Sequence, residues 1–139
     1  GKEIKIDYGA GSAIVTMKMI IVVGVGSCIG GIFRYLLSQS IQSKFLSTFP
    51  FGTLSVNIIG CFFIGLIFGF SERSYISIEW RLFLATGISG GFTTFSSFSY
   101  ETVELIRDGQ YWLALWYIAS SVIIGLVATF LGISIFKLL

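Results

Sequence analysis

The sequence predicts an all-α integral membrane protein with four transmembrane helices, of which the third is broken. Hydrophobic residues make up 55% and charged residues only 12% of its 139 residues, and the mean hydropathy is +0.91. A soluble domain would need about twice that share of charge. Four mostly uncharged stretches are each long enough, at about 1.5 Å rise per residue, to cross a hydrocarbon core of roughly 30 Å. They cover approximately residues 19–37, 51–70, 82–105 and 111–136.

The N-terminal residues differ from the rest of the chain. Residues 1–16 are comparatively rich in charge and precede Met17, which resembles a translation start. We interpret residues 1–16 as a cloning remnant or a flexible N-terminal extension. Residues 17–139 are then expected to form one four-helix transmembrane domain.

The first stretch combines small residues with one arginine near its end. Gly26 and Gly30 are four residues apart, the spacing that lets two helices approach closely, so this face is expected to pack against another span. Arg34 lies shortly before a polar loop, where its side chain can reach interfacial water. Alternatively, its charge raises the local potential at an anion entrance. The residues alone leave both roles of Arg34 open.

The second stretch follows Pro50, which suits the start of a helix because its missing N–H would be unpaired there. Thr53 and Asn57 are four residues apart and therefore share one helix face. Asn57 is the one amide in the four stretches, and a buried amide needs partners. It either bonds to a neighbouring helix or, together with Thr53, faces a pore and donates to a passing anion.

The third stretch contains residues that do not favour a helix. Gly87, Gly90 and Gly91 each lower helix propensity by about 1 kcal/mol relative to alanine. Five hydroxyl residues between Thr93 and Ser99 cannot be satisfied by hydrocarbon. We expect the helix to break between Gly90 and Thr94, which indicates an ion or solute site because such backbone must be buried or line a watery cavity. The alternative is a face of small residues used for packing alone.

The fourth stretch begins with a belt of aromatic residues typical of a membrane interface, which comprises Tyr111, Trp112, Trp116 and Tyr117. Tyr117 and Ser121 are four residues apart and Gly125 follows at the same interval. This helix therefore carries a thin polar stripe on an otherwise apolar surface.

Several functions are disfavoured by composition. Cys28 and Cys61 lie in apolar stretches without CxxC spacing or a nearby histidine, so neither a disulfide framework nor a cysteine metal site is indicated. The net charge of +2 is spread along the chain without a basic run, so nucleic acid is not an expected partner. No nucleotide-binding motif or catalytic constellation indicates an enzyme.

Positive charges do not favour one orientation in the membrane. With residues 1–16 set aside, one side would carry Lys18, Arg73, Arg81 and Lys137, and the other Arg34, Lys44 and Arg107. Because lysine and arginine normally set orientation by their excess on the cytoplasmic side, this near balance permits insertion both ways up. An antiparallel dimer is then possible.

Three motifs together resemble the Fluc (CrcB) family of fluoride channels: GGIFRY from Gly30, GTLSVNIIG from Gly52 and GISGGFTTFSSFSYE from Gly87. The resemblance extends from about Met17 to the C-terminus. It implies a channel, not an enzyme, that lets fluoride leave the cell passively and so reduces cytoplasmic fluoride toxicity. It further implies a dual-topology antiparallel homodimer in the inner (plasma) membrane of a bacterium.

The resemblance also implies roles for particular residues. The fluoride pathway would consist of Phe95, Phe98, Asn57, Thr53, Tyr117, Ser121 and Ser97, with Arg34 in the vestibule. A structural sodium ion at the dimer interface would be held by the backbone carbonyls of Gly90 and Thr93. One departure is that both Ser96 and Ser97 are serines, where relatives often have Ser-Thr.

The chemistry of these side chains agrees with an anion pathway. Fluoride is small and tightly hydrated, so a pore must replace its water with N–H and O–H donors that carry no trapping charge. Two other classes remain open. A small multidrug-type cation exporter would need a carboxylate in the membrane, and none lies in residues 19–37, 51–70 or 111–136 or in the uncharged window 82–100 of the third stretch. A non-transporting assembly subunit would use its glycine faces for packing alone.

Overall fold

A computed structural model of the protein describes residues 10–139, and every regular element within that range is helical. The elements in order are α1 (Ala10–Gln42), α2 (Phe51–Arg73), α3 (Ile78–Arg81), a π-helical segment (Leu82–Ser89), α4 (Gly90–Phe92), α5 (Phe95–Arg107) and α6 (Tyr111–Leu138).

The first helix starts earlier than the sequence predicts. Residues 10–16, assigned above to the N-terminal extension, form the first turns of α1, while residues 1–9 lie outside the described range. This segment contains no proline, and the Thr16 hydroxyl donates to the Ser12 carbonyl one turn earlier at 3.0 Å. Nothing local therefore ends the helix at the position of Met17.

Three helices are long and apolar enough to cross a membrane, namely Gly11–Gln42, Phe51–Arg73 and Tyr111–Leu138. They include three of the four predicted stretches, and the all-α class is confirmed for the part of the chain that the structure describes. Pro50 directly precedes α2, as its missing N–H predicts.

The third predicted stretch is divided. Its first half is π-helical and continues through α4, and the amide of Gly90 donates to the carbonyls of both Ala85 and Gly87. Thr93 and Thr94 then adopt extended backbone angles, with ψ of 154° and 113°, before α5 begins at Phe95. Two helical halves therefore meet at a two-residue interruption.

Glycines on α1 bring its backbone into contact with the first half of this stretch. A Cβ added to Gly26 would lie 2.6 Å from the Phe83 carbonyl oxygen and 2.9 Å from the Cα of Gly87. A Cβ added to Gly30 would overlap the carbonyl of Ile88. The predicted packing of the Gly26 and Gly30 face against another span is confirmed.

A second set of glycines joins α2 to α6. A Cβ added to Gly69 would lie 2.9 Å from the Cα of Ile133, and one added to Gly65 would overlap the carbonyl of Thr129. At the end of this pair, the Arg73 guanidinium donates to the carbonyl of Phe136. Thus α1 packs against the first half of the interrupted stretch, and α6 packs against α2.

We expect Gly30→Ala to destabilise the fold, because the added methyl group meets the backbone of Ile88. Overpacking of this kind costs about 1–3 kcal/mol. Gly24→Ala is the matched control, since no atom lies within 4 Å of its added Cβ. The control should be neutral or slightly stabilising, because alanine favours helices by about 0.5–1 kcal/mol over glycine. Equal thermal midpoints of the two variants in detergent would contradict the close contact.

Candidate functional site

The backbone at the interruption is bound by an amide from α2. The N–H of Thr94 donates to Oδ1 of Asn57 at 2.8 Å, and Nδ2 of Asn57 donates to the carbonyl of Thr94 at 3.1 Å. In a continuous helix the Thr94 N–H would instead bond to the carbonyl of Gly90. Asn57 therefore satisfies backbone groups that the break would leave unpaired, and these groups are costly to bury without partners.

Two adjacent threonines hold the two helical halves. The Thr93 amide and its hydroxyl both donate to the carbonyl of Ser89, each at 3.0 Å, which closes the end of α4. The Thr94 hydroxyl accepts from the amide of Ser97 at 3.1 Å and so caps the start of α5. Side-chain oxygens in this N-cap position satisfy amides that have no partner within the helix.

A cavity of about 390 Å³ lies beside the interruption. Six of the predicted site residues line it, namely Asn57, Gly90, Thr93, Phe95, Phe98 and Ser121, together with Thr94 and several apolar residues. None of its lining residues is charged. The hydroxyl of Ser121 is buried and has no hydrogen-bond partner within residues 10–139. The cavity thus offers neutral donors and aromatic surface to a solute.

Three aromatic rings form a row from the surface into the protein. Phe95 is 78% exposed, and its ring centroid lies 5.5 Å from that of the half-buried Phe98. The Phe98 centroid lies 5.1 Å from that of Tyr117, which is 0% exposed. Phe98 is therefore placed by packing on both sides, whereas Phe95 has an open face.

A carboxylate without a role in the sequence-based prediction lies behind this row. The hydroxyls of Thr53 and Tyr117 each donate to one oxygen of Glu101, both at 2.6 Å. Glu101 is half-buried and directly follows the uncharged window 82–100, and this position is the one feature of the sequence that could have indicated it. An acid thus lies within the helical bundle although the uncharged window holds none, because α5 brings this carboxylate against α2 and α6.

A second, more polar cavity of about 280 Å³ lies on the other side of Thr94. Among its lining residues are Arg34, Thr53, Thr94, Ser97 and Glu101. The Nε atom of Arg34 is buried without a partner in the described part of the chain. Arg34, Thr53 and Ser97 are thereby brought together, apart from the first cavity. Tyr117 lines neither cavity, but its hydroxyl donates to Glu101, which lines the second.

These features define a multi-pass helical membrane protein with an uncharged cavity beside an interrupted helix. A family model described as "CrcB-like protein, Camphor Resistance (CrcB)" matches residues 21–133, and the chain belongs to this family. The resemblance seen in the three sequence motifs is thus confirmed.

Curated relatives match most of the chain. It is 48% identical to the "Fluoride-specific ion channel FluC" of Parabacteroides distasonis, over 81% of this chain and 88% of that protein. Proteins of the same name from Phocaeicola vulgatus and Flavobacterium psychrophilum are 41% and 42% identical. These matches cover 84% and 87% of this chain, and 97% and 98% of the relatives.

We expect Tyr117→Phe to destabilise the protein, because the half-buried carboxylate of Glu101 then keeps only the Thr53 donor. A hydrogen bond to a charged group contributes about 1.5–3 kcal/mol. Combining it with Glu101→Gln should give a smaller total loss than the sum of the single variants, with an interaction free energy of about 1 kcal/mol or more. Tyr111→Phe, at a tyrosine that is 67% exposed, is the control and should change little. If the stability losses of the two single variants simply add in the double variant, Tyr117 and Glu101 do not interact.

Proposed function

We propose that this protein is a fluoride-specific ion channel through which fluoride leaves the cell passively, which lowers its cytoplasmic concentration. The observation that carries the proposal is the uncharged cavity beside the interruption, in a chain whose curated relatives are named as fluoride channels. The chain is accordingly not an enzyme.

The cavity suits an anion that must lose water and then be released. Asn57 uses one Nδ2 hydrogen on Thr94, and its second hydrogen has no partner within residues 10–139. Asn57 therefore binds a neighbouring segment and still retains a donor for an ion, so the two roles considered for it are compatible. The free Ser121 hydroxyl adds another donor. Such neutral groups bind weakly enough for an ion to leave again.

Aromatic edges supply the remaining stabilisation in this proposal. The rim of a phenyl ring carries partial positive charge, so Phe95 and Phe98 turned edge-on to the ion would each contribute around 1 kcal/mol. A full cation at the same place would hold fluoride too strongly for rapid passage, and an aliphatic side chain would offer no electrostatic partner. The observed 5.5 Å between the two ring centroids supports a role for them as a pair.

We further propose that the pathway continues past Thr94 to the second cavity. Thr94 lines both cavities, and Ser97, Thr53 and Arg34 line the second. Thr53 and Tyr117 currently donate to Glu101, so they would serve the pathway by offsetting its negative charge. The buried Nε of Arg34 favours the vestibule role, since the positive guanidinium would counter the same carboxylate.

The assembly is also a proposal. The two halves around Thr93 and Thr94 would form the fourth membrane crossing, and two copies would associate in antiparallel orientation in the inner membrane of a bacterium. Interrupted helices in transporters bind ions through backbone groups freed at the break. Here Gly90 is exposed and its carbonyl lacks the Thr94 donor, which supports a sodium ion bound by the carbonyls of Gly90 and Thr93 at the dimer axis.

The direct test is fluoride efflux from liposomes that contain the purified protein, with a potassium ionophore to balance charge. Wild type should release fluoride and retain chloride. Phe98→Ile should fold but release fluoride at least about fivefold more slowly, the change that 1 kcal/mol produces. Phe98→Tyr should retain part of the rate, because it preserves an aromatic edge. A fluoride-selective electrode measures each initial rate.

Phe130→Ile is the control for this series, since Phe130 lies on α6, is 67% exposed and lines neither cavity. It should conduct like wild type. A Phe95→Ile, Phe98→Ile double variant with undiminished efflux would remove both rings from the pathway. Equal release of chloride by wild type would exclude fluoride selectivity, and no release of either ion would favour a non-transporting subunit.

We expect Gly90→Leu to disrupt the dimer without unfolding the protomer. Within one protomer the nearest atom to an added Cβ at Gly90 is the Ala85 carbonyl oxygen at 3.9 Å, so a side chain fits. A loss of association would therefore arise from contact with the second copy. Light scattering in detergent would measure the molecular mass, with Gly24→Leu as the control because its added Cβ also meets nothing within 4 Å. A Gly90→Leu variant with the mass of a normal dimer would argue against the axial position.

A further inference from the structure

Thr94 makes more contacts at the interruption than its position in the sequence suggests. It is buried, at 9% exposure, although it lies in a two-residue gap between helices. Its backbone N–H and carbonyl both bind Asn57, its hydroxyl caps α5 at Ser97, and its side chain lines both cavities. Neither the family motifs nor the ion-binding roles proposed above assign a function to this residue.

We infer that Thr94 is a positioning residue of the fluoride pathway, which fixes the direction of α5 relative to α2 and so places the Phe98 ring. This inference rests on the proposed channel function. The backbone bonds to Asn57 hold both peptide groups of Thr94 in one orientation against α2. The hydroxyl then transmits that orientation to the first turn of α5 through the Ser97 amide.

The neighbouring threonine cannot perform this role. The Thr93 hydroxyl bonds to the Ser89 carbonyl, which belongs to the first half of the interrupted stretch. Of the two threonines, Thr94 alone binds Asn57 through its backbone and the first turn of α5 through its hydroxyl. Further along α5, the Thr102 hydroxyl donates to the Phe98 carbonyl at 2.7 Å, which stabilises the turn that carries Phe98 but does not orient it toward α2.

The placement of Phe98 is sensitive to this connection. Its ring lies between Phe95 and Tyr117, with centroid distances of 5.5 Å and 5.1 Å. A rotation of the first turn of α5 would move the Phe98 edge relative to Asn57 and Ser121, which lie on other helices. Functional groups need placement to within about 0.5 Å, and errors near 1 Å can lower rates by roughly 100-fold.

The test compares four proteins in the liposome efflux assay, with rates normalised to folded protein. Thr94→Val preserves shape but removes the hydroxyl, and it should slow efflux at least about tenfold, within the range that misplacement produces. Thr94→Ser retains the hydroxyl and should remain within about twofold of wild type, since serine caps helices as well as threonine. Thr129→Val is the control. Its hydroxyl also bonds between helices, to the Cys61 carbonyl, but Thr129 itself lines neither cavity.

The inference is overturned if Thr94→Val conducts at the wild-type rate, or if Thr94→Ser is as slow as Thr94→Val. If Thr94→Val does not fold, Thr94→Gly replaces it, because glycine starts helices nearly as well as threonine yet has no hydroxyl. Folded Thr94→Gly with the rate of Thr94→Ser would then reject the inference. A wild-type protein that releases no fluoride would instead reject the channel function, together with the inference that depends on it.

Discussion

The pairing of Asn57 with the backbone of Thr94 is the interaction on which the rest of the site depends. A helix interrupted at membrane depth exposes N–H and carbonyl groups that hydrocarbon cannot satisfy, and each such group costs several kcal/mol. One amide on α2 satisfies the N–H and the carbonyl of the same residue. The side chains beside the interruption are thereby free to face a cavity instead of repairing the backbone.

Close backbone contacts support this arrangement from the opposite side. Gly26 and Gly30 let α1 lie directly on the segment that contains Gly87 and Ile88, so no side chain separates the two backbones. On α2, Gly60 leaves room for the methyl group of Thr93. The interruption consequently lies between α1 and α2, and the first cavity is lined by residues of α2, α6 and the interrupted stretch. Glycine here serves packing and site geometry at once.

Glu101 indicates how the protein accommodates a negative charge near the uncharged first cavity. Two hydroxyls on different helices bind its two oxygens, so the carboxylate is directed toward α2 and α6 and away from the lining of the first cavity. Arg34, whose Nε atom is buried, lines the same second cavity. Arg34 and Glu101 thus line the second cavity, while the lining of the first cavity, which includes Phe95 and Phe98, is neutral. This separation suits an ion that is first attracted and then only weakly held.

Composition and spacing alone determined the all-α membrane class, the extent of α2 and α6, the glycine face of α1 and the position of the interruption, because each follows from local hydropathy or helix propensity. The motifs also determined the family. Only the tertiary structure decided that Asn57 binds Thr94, that Thr53 and Tyr117 converge on Glu101, and that Arg34 lies in a different cavity from Phe98. These pairings join residues far apart in sequence. Periodicity places a residue on a face of its own helix, whereas its partner depends on how the helices pack.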